Sequence, residues 1–263
     1  MSPVLPLKPN PLPAISILGL PVHDVDMDAA LAQIDRFIGS GTPHHIITAD
    51  SSMLVMAQED AQLRSLVAAA DLVTPDSAGI LWAAKQVGTP LRERVSGVEI
   101  VERLCALSPE RGYRLYFLGA AEGVAEQAAA RMQARYPGAQ IVGTHHGFFG
   151  PGEMEAVLED IRCQQPDVLC VAMGIPKQEK WIAAHREELG VPVLIGVGGT
   201  FDVLSGRTRR APAWMQKFHL EWLWRVLVNP RKINKVLLLP RFVRLVRQEQ
   251  KQATLDGRQH RNR

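Results

Sequence analysis

No uninterrupted apolar stretch in this chain approaches the roughly 20 residues that a helix needs to cross a bilayer. Any meeting with a membrane is therefore expected to be peripheral. Cysteine is scarce: Cys105, Cys163 and Cys170 are the only three, each standing singly, with no CxxC and no Cys/His pairing at zinc spacing. That argues against a disulfide framework and a zinc module, and reads the thiols as reduced core residues of a cytoplasmic protein. Aromatics make up only 6% of the 263 residues, while Ala, Val, Leu and Ile dominate. The stretch from Met1 to Pro13 carries five prolines and one lysine and lacks the apolar core of a secretory signal. Acidic residues nearly vanish after Gly206, where residues 207–263 hold 15 Lys/Arg against 3 Asp/Glu, compared with 15 against 24 before it. The overall charge of +3 conceals two bodies of opposite sign.

The basic part is not simply polar. Trp214, Phe218, Trp222, Trp224 and Phe242 are threaded between its cations, and three of the five tryptophans lie there. Interleaved cations and large apolar side chains suit a helix lying on anionic lipid, where each cation contributes about 1 kcal/mol. A solvated tail or a basic arm for nucleic acid are the plainer readings. The tryptophans count against the first and the lack of a nucleic-acid module against the second, so no nucleic-acid partner is expected.

Up to Gly206 short β-branched runs alternate with amphipathic stretches. The runs are Ile15 to Leu18, His45 to Thr48, Leu72 to Pro75, Arg114 to Leu118, Gln140 to Gly143, Val168 to Met173 and Val193 to Val197. Apolar residues at three- and four-residue spacing predict helices between them, and the alternation predicts an α/β fold, a Rossmann-like, mostly parallel sheet covered by helices on both faces. The expected organisation is a core over 1–206, a basic amphipathic helical appendage over 207–248 that docks on the membrane and is separable from the core, and a polar, disordered tail over 249–263. A break at Asn229-Pro230 and an interruption at Pro240 are expected within the appendage, with Arg241, Arg244 and Arg247 sharing one helix face.

Ligands of such sheets bind outside the carboxyl ends of the strands, so the residues just after each run carry the chemistry. Thr48 is followed by Ala49-Asp50-Ser51-Ser52, which also suits an ordinary helix cap. Pro75 is followed by Asp76, with cap and functional acid evenly matched. Gly119-Ala120-Ala121-Glu122-Gly123 offers small residues where a phosphate could approach a helix N-terminus, as a partial glycine loop only. Gly174 opens the turn that leads to Gln178, whose amide donors would face the cleft. Gly199 and Asp202 follow the run that ends at Val197, and Asp202 could hold a ribose or base. Asp24-Val25-Asp26 matches the DxD of metal-dependent sugar transferases but fits a helix start better. His145-His146 lacks a third ligand at a recognisable spacing. No metal site and no cofactor is assigned. The absence of GxGxxG after the first strand argues against a dinucleotide-dependent oxidoreductase.

In order and spacing, DLVTPDSAGILWAAK (from Asp71), RVSGVEI (from Arg94), LGAAEG (from Leu118), MGIPKQEKWI (from Met173) and the long segment from Ile195 to Lys232 resemble the WecG/TagA/CpsF family of bacterial glycosyltransferases, over about Ile15 to Arg247. The resemblance implies inverting transfer of a sugar from a UDP donor to a lipid acceptor without an essential metal. It implies most often N-acetylmannosamine moving to undecaprenyl-diphosphate-linked N-acetylglucosamine, in cell-wall or surface polysaccharide synthesis at the inner face of the cytoplasmic membrane. It puts the base on Asp76 and further active-site residues on Thr48, Arg94 and Gln178. Donor contacts are expected at Gly119, Gly174, Gly199 and Asp202. Cations of the basic appendage, Arg225 and Lys232 together with Arg241, Arg244 and Arg247, are expected at the diphosphate or the membrane. Asp50 stands where the family often has Asn, so a different UDP-sugar, such as glucose or a uronic acid, is the alternative donor. Self-association is left open.

Overall fold

The computed structural model describes residues 12–208, 215 and 233–261. Its centre is a six-stranded sheet in the order β4-β3-β8-β7-β5-β6, formed by β3 (His44–Ala49), β4 (Leu72–Pro75), β5 (Arg114–Gly119), β6 (Gln140–His145), β7 (Val168–Ala172) and β8 (Val193–Gly196). Every neighbouring pair in it is parallel. All six carboxyl ends therefore open on one edge, as the alternation of strand and helix patterns predicts.

Burial on both faces explains why these strands read as apolar runs. Ile46 and Ile47, adjacent on β3, point to opposite faces and enter different clusters. Ile46 packs with α1 (Met27–Ser40), α5 (Gly97–Arg111), α6 (Val124–Arg135) and α9 (Thr200–Leu204). Ile47 packs with α2 (Ser51–Met56), α3 (Ala61–Ala68) and α4 (Ala78–Gln86). Farther along that second face, α7 (Pro151–Gln164) and α8 (Lys177–Leu189) cover Tyr116, Leu118, Leu169 and Val171. Asp26 caps α1, accepting from the Ala29 amide at 2.8 Å, and Asp24 pairs with Arg92 at 3.1 Å. Both carboxylates of the DxD stretch thus have structural work, in line with the helix-start reading.

Four sequence expectations change. The first apolar run lies outside the large sheet: β1 (Ala14–Ile17) and β2 (Leu20–His23) form a separate antiparallel hairpin. Its turn, Leu18-Gly19, has φ of 53° and 72°, the geometry of a two-residue hairpin, without the Asn-Gly that usually announces one. Cys163 is exposed, whereas Cys105 and Cys170 are buried, with burial pushing the Cys105 thiol up to about 12. The C-terminal helix α10 (Ile233–Arg261) holds Pro240 inside it and continues through residues 249–261, where a disordered tail is expected from polarity alone. Finally, Phe242 and Val246 of α10 are 0% exposed and belong to the cluster that holds Ile47 and Val73. Arg241 pairs with Glu59 at 2.6 Å, and Glu249 accepts from the Leu18 amide at 3.0 Å. The inner face of α10 is therefore part of the core rather than detached from it. Packing of that face offsets the hydrogen bond that a proline removes from a helix interior.

Candidate active site

The site is built at the carboxyl edge from the exits of β3, β4, β7 and β8. Thr48, the penultimate residue of β3, is buried and donates its hydroxyl to the Gly196 carbonyl on β8 at 2.7 Å. Its hydrogen is committed across the sheet, which leaves oxygen lone pairs to face a ligand. Asp50 caps α2, accepting from the Met53 amide at 2.8 Å and the Ser52 hydroxyl at 2.5 Å, so capping accounts for the Asp50 oxygen that faces α2.

Asp76 is held from behind: its amide donates to the Ala49 carbonyl at 2.9 Å, which ties the turn after β4 to the end of β3. The next residue, Ser77, caps α4 and meets the Ser51 hydroxyl at 3.2 Å. The cap of α4 thus falls to Ser77, and Asp76, directly before it, is half-buried at the edge. Gly79 keeps the turn tight, because a Cβ there would lie 2.0 Å from Ser51 Oγ and 3.6 Å from the Phe242 ring. The C-terminal helix thus packs against the turn that carries Asp76.

Arg94 reaches the same edge through its neighbour, since the Val95 amide donates to the Pro75 carbonyl at 2.9 Å. Its guanidinium is half-buried and lies 3.3 Å from Glu99 Oε1, while Glu99 Oε2 accepts from Ser96 at 2.6 Å. Ser96 and Glu99 form the cap of α5, and that cap orients the arginine. Gly97 lets α5 begin against β3: a Cβ on it would sit 3.4 Å from Thr48 Oγ1.

Gln178 differs from its expected presentation. It is 1% exposed, with Oε1 accepting from the Gly174 amide at 3.1 Å and the Gly198 amide at 3.0 Å, and Nε2 donating to Glu179 Oε1 at 2.8 Å. One of its amide N–H groups is given to Glu179, and the side chain is buried rather than presented openly to the cleft. Gly174 forms a left-handed turn, φ 80°. Gly199 is exposed beside it, and Asp202 is half-buried in the first turn of α9. Gly119 is buried, and a Cβ there would lie 2.4 Å from the Ala172 carbonyl oxygen; the Ala120 amide is spent on that same oxygen at 2.8 Å. Close approach to β7 accounts for this glycine. A phosphate would have to use amides farther along the loop.

Thr48 and Gln178 thus both lean on Gly196, one through its carbonyl and the other against its α-carbon, and the turns of Asp76 and Arg94 are stitched to the ends of β3 and β4. Arg225 and Lys232 lie outside the described residues. Arg244 and Arg247 are exposed on α10, away from the buried face. Among the described residues no group of three His, Cys, Asp or Glu stands together as a metal set, and no helix there is long and apolar enough to cross a membrane. Sequence reasoning overlooked Gly196, Glu179 and Ser77. A glycine inside an apolar strand is itself a sign of close approach, so Gly196 could have been found.

Residues 15–255 match the glycosyl transferase WecG/TagA/CpsF family. The chain belongs to that family. A Bacillus spizizenii relative named N-acetylglucosaminyldiphosphoundecaprenol N-acetyl-beta-D-mannosaminyltransferase is 32% identical over 201 residues, 76% of this chain and 77% of its own. A Staphylococcus aureus relative of the same name is 29% identical over 231 residues, 87% and 90% of the two chains. As a member of the family, the chain is a glycosyltransferase, and the edge that gathers Thr48, Asp76 and Arg94 is its candidate active site.

Proposed function

We propose that this glycosyltransferase moves N-acetylmannosamine from a UDP donor to undecaprenyl-diphosphate-linked N-acetylglucosamine, with inversion, while resting on the inner face of the cytoplasmic membrane. The observation that carries the reading is the place of Asp76: a carboxylate at the exit of β4, half-buried at the carboxyl edge, with its backbone amide held by the Ala49 carbonyl. The names of the two relatives supply the acceptor and the sugar.

In this reading Asp76 takes the proton of the acceptor hydroxyl as its oxygen attacks the anomeric carbon, and the bond from that carbon to UDP breaks on the opposite face. One displacement inverts the centre. The leaving diphosphate gathers negative charge, which Arg94 and the cations of the basic stretch, Arg225 and Lys232 among them, neutralise. Gly174, Gly199 and Asp202 border the donor side.

The test is a donor screen, in which UDP-N-acetylmannosamine, UDP-glucose and a UDP-uronic acid are offered with a lipid-diphosphate N-acetylglucosamine acceptor, with and without EDTA. Transfer of N-acetylmannosamine at a rate unchanged by EDTA is expected. Preference for another UDP-sugar would correct the donor and direct attention to Asp50. Activity lost to EDTA and restored by manganese would overturn metal independence.

A further inference from the structure

Two backbone N–H groups, those of Gly174 and Gly198, converge on one atom of the Gln178 side chain. An N–H can only donate, so that atom is the carbonyl oxygen and the amide nitrogen must face Glu179. The pair is fully enclosed, with Gln178 at 1% and Glu179 at 0% exposure. It sits on Gly196, where a Cβ would come within 2.6 Å of Gln178 Nε2 and 3.1 Å of Glu179 Oε1. The carbonyl of that same glycine receives the Thr48 hydroxyl. Gly174 opens the turn after β7 and Gly198 the turn after β8, so one side chain spans two neighbouring strand exits, and its orientation is set by the residue behind it.

We propose that Gln178 is a positioning residue rather than a ligand contact, and that Glu179 acts through it. Glu179 fixes the direction of the amide, the amide oxygen sets the spacing of the β7 and β8 exit turns, and those turns present Gly174, Gly199 and Asp202 to the nucleotide side of the donor. Because this deepens the proposed transferase reading, it is tested with one readout that needs no transfer.

Gln178→Glu keeps an acceptor for the two glycine amides but loses the donor to Glu179 and sets two carboxylates face to face. Adding Glu179→Gln restores the pair with its hydrogen bond reversed, the new amide at 179 donating to the new carboxylate at 178. The single variant should exchange the Gly174 and Gly198 amides with deuterium faster than the wild type and raise the donor KM about tenfold, the usual scale for a lost buried hydrogen bond, with a smaller change in kcat. The double variant should recover both. If the double variant regains slow exchange yet transfers as poorly as the single one, the Gln178 amide touches the donor and the proposal is wrong. If Gln178→Glu leaves both exchange and KM unchanged, the clamp does not set the turns. Absence of transfer by the wild-type chain with any UDP-sugar would defeat the transferase reading instead, and the exchange result would still decide the clamp.

Discussion

At the scale of single residues, hydrogen bonding shows which polar side chains at the edge are engaged inside the fold. Thr48 and Gln178 both stand where sequence and family resemblance put active-site residues, yet the Thr48 hydroxyl donates to Gly196 and an amide N–H of Gln178 to Glu179. Asp76 stands at the exit of β4, half-buried at the carboxyl edge and directly before the cap residue Ser77. If Asp76 is the base of the proposed reaction, Asp76→Asn should reduce transfer at least about 100-fold while UDP affinity stays within a few fold, because the amide keeps the shape and loses the proton acceptor. Transfer above about a tenth of the wild-type rate would exclude it as an essential base. The positions of these residues were legible in the sequence because strand exits are readable from period and composition. The direction of the Gln178 amide was not, since it depends on Glu179 and on a glycine in another strand. His45 carries a pH dependence of its own at the opposite edge. Burial, then Arg186, lowers its pKa to about 4, and Asp71 opposes them. The unfolded chain takes up this proton near pH 6.5 and the folded chain resists it, so the stability present above 6.5 is lost as pH falls toward 4. The loss reaches about 3 kcal/mol in full, with His23 adding in the same direction. Melting temperatures at pH 7.5 and 5 should diverge less in His45→Leu than in the wild type. An equally steep fall in the variant would assign the effect elsewhere.

At the scale of elements, period and composition foretold the parallel sheet and its long helices, because buried parallel strands are apolar runs and the helices between them are amphipathic. The hairpin of β1 and β2 escaped notice because its turn is Leu18-Gly19, and α9 because five residues carry too little of a helical period. The last helix was misjudged for another reason. Pro240 and the polar residues after Gln248 argue locally for a break and a frayed end, but Phe242 and Val246 are held by the β3–β4 side of the core, and that tertiary packing overrides local preference. Phe242→Ala should consequently lower stability by about 3–5 kcal/mol, as a large side chain deleted from a closed core does. A denaturant midpoint within error of the wild type would mean that α10 docks without contributing to the fold. Because the Phe242 ring also lies against Gly79, the same variant should loosen the turn that carries Asp76.

At the scale of the whole molecule, the charge division acquires a direction. The stretch 207–263 bears an excess of 12 positive charges and residues 1–206 an excess of 9 negative ones, yet α10 spans both characters. Phe242 and Val246 face inward, while Arg244, Arg247 and Lys251 are exposed, with Leu237 at 65% exposure among them. Cutting the chain after Gly206 would uncover the apolar surface that Phe242 and Val246 fill, so truncation confuses loss of membrane contact with loss of stability. Charge reversal at the outer face does not. Arg244→Glu with Arg247→Glu should weaken binding to vesicles containing anionic lipid by at least about 1 kcal/mol per cation, an effect that shrinks as salt rises. The melting temperature and transfer to a short-chain, water-soluble acceptor should stay near wild type, since neither arginine belongs to the buried face. Arg241→Glu is the contrasting variant: it sets a carboxylate against Glu59, so it should cost stability as well as vesicle binding. If the double reversal leaves vesicle binding intact at low salt, the outer face of α10 is not the membrane contact, and the search moves to the tryptophan-bearing stretch before it. If it abolishes transfer to the soluble acceptor, these arginines serve the diphosphate rather than the lipid.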